Sequence, residues 1–156
     1  MSSDSTPEDA AAVPEEKRAP LVLVVDDDEA IREWVVEGLA MSGFRVAESH
    51  DGADALAKAV DLGPDVVLTD LQLPVLDGWE LITRLKHHPR TSHTRFIAMT
   101  GFSLDGAARH RARECGCDAF LAKPCLPETI ALEVRLVMQS ELPPIDESSE
   151  TGTEGA

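Results

Sequence analysis

Residues 21–28 read Leu-Val-Leu-Val-Val-Asp-Asp-Asp, five aliphatic residues that run without a break into three acids. An apolar run this short, partly β-branched and bounded by polar residues, reads as a strand buried on both faces, as in a parallel sheet. Residues 66–68 and 96–99 repeat the pattern, and 44–47 and 119–122 repeat it more weakly. Between these runs the apolar period changes from continuous to helical. Ile31, Trp34, Val35 and Leu39 recur at helical spacing, as do Leu56 and Val60, then Leu81, Ile82 and Leu85, then Ile130, Val134 and Val137. Gly43 and Gly63 punctuate the C-terminal ends of the first two helices. A fourth helix, about residues 103–115, has the weakest stripe and the most Arg. Five strands alternating with five helices make a doubly wound α/β domain with a parallel sheet.

The chain has 156 residues with 14 Lys+Arg against 29 Asp+Glu, a formal charge of −15. Such an acidic surface repels phosphate backbones and anionic lipid head groups, which disfavours direct nucleic-acid and membrane binding. No apolar run approaches a membrane span, and the acidic, Ser-rich start lacks the basic and apolar parts of a secretion signal. Residues 1–19 and 140–156 are too poor in large apolar side chains to offset their ordering entropy. They are expected to be disordered acidic tails around a folded unit at 20–139. These ends, Met1 included, lead us to expect a free-standing chain rather than a piece of a larger regulator. Three cysteines, Cys115, Cys117 and Cys125, fit reduced thiols in a cytoplasm. With His110 they could form a zinc site, but C-x-C-x₇-C lacks the usual ligand knuckles, so buried thiols are favoured.

The residues just past each strand carry the chemistry. The first strand runs into Asp26, Asp27 and Asp28, the third ends in Thr69-Asp70, the fourth in Thr100-Gly101, the fifth in Lys123-Pro124. Ligands of open α/β sheets bind beyond the carboxyl ends of the strands, where the strand order reverses. In the order 2-1-3-4-5, Asp26, Asp27 and Asp70 would converge, flanked by Thr100 and Lys123. Converging carboxylates repel one another unless a cation joins them. An oxygen-only donor set suits a hard ion such as Mg²⁺, which also takes a phosphate oxygen. With a Lys point charge and a Thr donor, this is a site for a phosphoryl group. No Ser/His/Asp arrangement or Gly-rich cradle is visible, so the expected acceptor is an Asp carboxylate.

Here the chain resembles the receiver domain of bacterial two-component response regulators, over about residues 20–139. Four motifs carry the resemblance, in family order and spacing: residues 21–28 (LVLVVDDD), 70–78 (DLQLPVLDG), 99–101 (MTG) and 120–124 (FLAKP). It implies a flavodoxin-like (βα)₅ three-layer fold. Asp70 would be the phosphoacceptor. Asp26 and Asp27 would hold Mg²⁺ together with Asp70 and the backbone carbonyl of Gln72. Thr100 and Lys123 would each contact a phosphoryl oxygen, and Phe120 would be the aromatic switch. Pro124 follows the Lys, often through a cis bond. The donor would be a phosphohistidine on a histidine kinase or histidine phosphotransfer protein. The output would be a downstream protein bound through the fourth helix, fifth strand and fifth helix, or a phosphorylation-linked homodimer. Asp28 reads as the cap of the first helix rather than a ligand.

Some positions depart from the commonest pattern. Leu73 replaces a frequent Met, Cys125 a frequent Phe, and Phe120 has no hydroxyl. Gly101 is small and is expected to keep the acceptor open to bulky donors. Gln72 and Phe102 lie where the family tunes dephosphorylation. His87 and His88 close the third helix and are expected to be solvated. Leu132 and Leu136 fall opposite the core stripe of the last helix, as ordinary exposed aliphatics or as a contact patch for a partner or a second receiver. Two other functions compete. A haloacid-dehalogenase-type phosphohydrolase wants a second acid where Gln72 stands. An unphosphorylated receiver-like binding module usually lacks one of the acids, the Thr or the Lys, and none is missing here.

Overall fold

The structure is a computed structural model that describes residues 18–101 and 106–139. The expectations for the acidic ends, Arg18 and Ala19 apart, and for Phe102 lie outside the described residues. Strands β1 (Leu21–Val25), β2 (Arg45–Ser49), β3 (Val66–Asp70), β4 (Arg95–Thr100) and β5 (Ala119–Ala122) alternate with five helices. These are α1 (Glu29–Met41), α2 (Gly52–Leu62), α3 (Gly78–Lys86), α4 (Gly106–Cys115) and α5 (Pro127–Gln139). All strand pairs are parallel and the order is β2-β1-β3-β4-β5, as expected from the sequence. Val25 stands level with Thr69, and Asp70 with Met99, so the acids that follow β1 and end β3 leave the sheet at one edge.

Alternate residues of each strand feed two cores. Val22, Val24, Leu68 and Met99 pack with Val35 and Leu39 of α1 and Ile130, Val134 and Val137 of α5. Leu23, Val25, Val67 and Phe96 pack with α2 and with Leu81, Ile82 and Leu85 of α3. Each large side chain buried this way contributes about 1.5–3 kcal/mol. Three helices start on aspartates. Asp28 Oδ1 accepts from Ile31 N at 3.0 Å, Asp51 Oδ1 from Asp54 N at 2.7 Å, and Asp77 Oδ1 from Glu80 N at 2.9 Å. Asp28 is therefore the expected cap. Gly63 ends α2 at φ 60°, and Gly43 follows α1 at φ 98°, both in the left-handed region that favours glycine. Among the described residues no helix is long and apolar enough to cross a membrane.

Several local expectations shift. The buried stripe of α2 is Gly52, Ala55 and Ala59, while Leu56 and Val60 flank it half-buried. Alanine is neutral in an apolar count, and the close approach of this helix selects small residues. Trp34 is 46% exposed, because Ile31, Val35 and Leu39 define the stripe and position 34 lies about 100° to its side. Strand β2 begins one residue later than expected, at Arg45. His88 is not simply solvated, since its Nδ1 accepts from Arg90 N and caps the 3₁₀ turn Pro89–Thr91. The three thiols are free. Burial raises the Cys115 thiol to about 11 and the Cys117 thiol to about 12.

Two glycines should respond oppositely to a methyl group. A Cβ on Gly78 would stand 2.3 Å from the Asp70 carbonyl oxygen, whereas one on Gly101 meets no described atom within 4 Å. Gly78→Ala should lose about 1–3 kcal/mol in urea unfolding, and Gly101→Ala should stay within about 0.5 kcal/mol. At pH 8, iodoacetamide should modify Cys117 at least about a hundredfold more slowly in the native than in the urea-unfolded chain, because the thiolate is the reactive form.

Candidate functional site

The site is built where β1 and β3 end. Asp26 follows β1 and is fully buried; its backbone N–H donates to the Ser49 carbonyl at 3.2 Å, which ties the turn to β2. Its Oδ1 accepts from Asp28 N at 2.9 Å, closing a small loop that leaves Asp27 exposed. Arg32, one turn into α1, donates to the Asp26 carbonyl at 2.8 Å and to Glu48 Oε1 at 2.9 Å. That brace fixes the turn from below and was not visible in the sequence.

Asp70 is the last residue of β3 and is 8% exposed. Its Oδ1 accepts from the Gln72 backbone N–H at 3.0 Å, and its neighbour Leu71 donates to the Met99 carbonyl at 3.1 Å. Gly78 lets the start of α3 press on the Asp70 backbone, where any Cβ would collide. The loop between them carries Val75 at φ 71°, a conformation that costs a β-branched residue about 1–3 kcal/mol, with its side chain exposed.

Lys123 arrives from the other side. Its backbone N–H donates to the Thr100 carbonyl at 2.8 Å, which continues the pairing of β5 with β4 beyond the last strand residue. The side chain then spans to β3 and β1, with Nζ 2.7 Å from Asp70 Oδ2 and 2.8 Å from Asp26 Oδ2. Partial burial works against the ammonium, but its contacts with the Asp26 and Asp70 carboxylates outweigh it and raise its pKa. The peptide between Lys123 and Pro124 is cis. Thr100 is buried at the end of β4, and Phe120, level with Ala98, is half-buried against the core on the α2–α3 side.

Asp26, Asp27 and Asp70 each bring a carboxylate oxygen within 4.8 Å of the others. Among the described residues this is the one such group of three or more His, Cys, Asp or Glu, so the Cys and His residues form no zinc cluster there; His110 pairs with Glu114 at 3.1 Å. Three carboxylates against one ammonium leave a formal charge of −2. Asp26 Oδ2 is buried without an aligned hydrogen-bond donor and meets the Lys123 ammonium in ionic contact alone. The excess negative charge of this all-oxygen set is what a hard divalent cation relieves. The structure thus brings Asp26, Asp27, Asp70 and Lys123 into one cluster, with the Gln72 backbone and Thr100 at its border.

Other features carry no simple sequence signal. Ser49 donates to Asp54, a bond that with Lys58 holds the Asp54 carboxyl below its usual range despite some burial. The Arg111 guanidinium stacks 4.6 Å above the Trp79 ring, 32 positions away in the chain. A Cβ on Gly101 would meet no described atom within 4 Å.

Comparison with known proteins agrees with this geometry. The family model for the response regulator receiver domain matches residues 22–135. The transcriptional regulatory protein PrrA of Mycobacterium tuberculosis is 34% identical over 137 residues, covering 88% of this chain and 58% of PrrA. The chain therefore spans little more than half the length of that relative. The polar-differentiation response regulator DivK of Brucella suis is 33% identical over 103 residues, covering 66% of this chain and 83% of DivK. The chemotaxis response regulator CheY4 of Vibrio cholerae superimposes with a TM-score of 0.72 at 29% identity, over 76% of this chain and 98% of CheY4. Sheet order, strand-edge carboxylates and these matches agree: the chain belongs to the response regulator receiver domain family of two-component signal transduction.

Proposed function

We propose that this receiver accepts a phosphoryl group on Asp70 from a phosphohistidine and uses the new charge to switch protein contacts. The observation that carries the reading is the Lys123 ammonium, which touches carboxylates from two neighbouring strands while Asp27 completes the cluster. In the transfer, an Asp70 carboxylate oxygen attacks phosphorus and the P–N bond to the donor imidazole breaks. The leaving ring nitrogen takes a proton from water. Asp26, Asp27, Asp70 and the Gln72 backbone carbonyl are the groups that would hold Mg²⁺. Bound there, Mg²⁺ would neutralise carboxylate and phosphoryl charge. Lys123 and Thr100 would hold two phosphoryl oxygens, and later attack by water would return the carboxylate.

Residues 20–139 form the unit we assign to this chemistry, acting in the cytoplasm with a histidine kinase or histidine phosphotransfer protein as donor. The acyl phosphate adds roughly −1.5 to −2 of charge. Thr100 would be drawn towards it, and Phe120, half-buried on β5, would turn into the space vacated. The face made by α4, β5 and α5 would repack, for a downstream protein or a second copy of the chain. We assign to that face Leu132 and Leu136 of α5, which are 56% and 50% exposed. The self-catalysed transfer and hydrolysis are the extent of the chemistry we assign.

With acetyl phosphate and Mg²⁺, the chain should take up one acid-stable, base-labile phosphate, seen by intact mass. Asp70→Asn should take up none, and labelling that persists in it would remove the assignment. Lys123→Ala should stay folded with stability lowered by several kcal/mol yet lose the switch, read as phosphorylation without phosphorylation-dependent association. Leu132→Lys with Leu136→Lys should leave stability within about 0.5 kcal/mol, since both are exposed. Association of the phosphorylated form should nevertheless be lost; association unchanged by this pair would take the patch out of the account.

A further inference from the structure

Arg111 is the cation that lines the cleft beside Asp27, and the phosphohistidine transfer gives it no role. An open cleft of about 530 Å³ runs from the acid cluster towards α4, lined by Asp27, Gln72, Asp77, Trp79 and Arg111 among others. The guanidinium carbon sits 4.6 Å above the centre of the Trp79 ring, and among the described residues it makes no hydrogen bond or ion pair. Trp79 is itself fixed, because it is half-buried at the start of α3 and packs against the core on the α2–α3 side. Stacking satisfies the face of a guanidinium and leaves its N–H edge free. It also pre-orders the long side chain, so less entropy is lost when that edge binds an anion. The edge shares its cleft with Asp27, whose carboxylate lies within 4.8 Å of that of Asp70.

Resting on Asp70 as the phosphoacceptor, the placement bears on what leaves rather than on what is transferred. The phosphoryl group has Lys123 and Thr100 beside Asp70, on the β4–β5 side. A group departing in line must move away from Asp70 into the open cleft, where Arg111 supplies positive charge beside two aspartates. We propose that Arg111 is a specificity-determining residue that favours small acyl phosphates by pairing with the carboxylate they release. In that step the Asp70 oxygen forms a bond to phosphorus and the bond from phosphorus to the acyl oxygen breaks. The electron pair leaves on acetate, with no proton transferred. A donor whose leaving group is neutral gains nothing from this residue.

Acetyl phosphate and phosphoramidate separate the two cases, since they deliver the same phosphoryl group but release acetate and ammonia respectively. A charge-assisted hydrogen bond formed as the leaving group departs, partly screened by solvent, corresponds to about a tenfold change in rate. Arg111→Gln should therefore lower the second-order rate of labelling by acetyl phosphate about tenfold and leave that by phosphoramidate within twofold. Trp79→Leu, which keeps an apolar side chain against the core and removes the stacking surface, should shift the donor ratio in the same direction by a smaller factor. If both donors slow equally in Arg111→Gln, the residue merely positions α4, and the proposal fails. It also fails if neither donor slows. Wild-type chain labelled by neither donor would instead overturn the assignment of Asp70 and this inference with it.

Discussion

The folded site depends on one ammonium group held between two strands. Lys123 Nζ sits 2.7 Å from Asp70 Oδ2 and 2.8 Å from Asp26 Oδ2, and both carboxylates are almost withdrawn from water. Leaving two such groups unpaired would cost several kcal/mol. Those three side chains come from β5, β3 and β1, so the pairing requires β1 to stand beside β3 and β5 to reach across β4. The parallel order β2-β1-β3-β4-β5 is the arrangement that meets both demands. Fold and chemistry are in this sense a single constraint: the sheet exists as a stack of buried apolar runs, and its edge collects the charges those runs cannot hold.

The same constraint explains the unevenness of the surroundings. Where charge is buried, the backbone is tightly specified. Gly78 presses α3 onto Asp70, Arg32 braces the Asp26 turn, and the Gln72 N–H fixes one oxygen of the acceptor. Where the site opens, the chain tolerates cost, as at Val75, whose positive φ is not repaid by burial of its side chain. Local strain is concentrated around functional sites in this way when the surrounding structure over-determines it.

Much of this was legible in the residues because the signals were local. An apolar run ending in an acid, a Thr or a Lys marks both a strand and the edge it points to, so β1, β3 and β4 and the cluster of Asp26, Asp27, Asp70 and Lys123 could be read directly, while β2 and β5 showed more weakly. The stripes of α1, α3 and α5 were equally plain, apart from Trp34 at the margin of its helix. The stripe of α2 was misplaced by one position because its core contacts are Ala55 and Ala59, residues that an apolar count barely weights. The Arg32 brace and the Trp79–Arg111 stack could not be read, since each joins residues that only tertiary packing brings together. The capping role of His88 was hidden for a related reason, as an imidazole acceptor at the start of a short 3₁₀ turn has no distinctive spacing.

The central claim is that acids from separate stretches of chain meet around one divalent cation, and Mn²⁺ tests it most directly as a paramagnetic stand-in for Mg²⁺ with the same preference for oxygen ligands. In a backbone amide spectrum, substoichiometric Mn²⁺ should broaden residues 26–28 and 70–72 together, with Thr100 and Lys123 next, and added Mg²⁺ should reverse the effect. Broadening confined to one of these stretches, or spread over the acidic surface at large, would contradict the account.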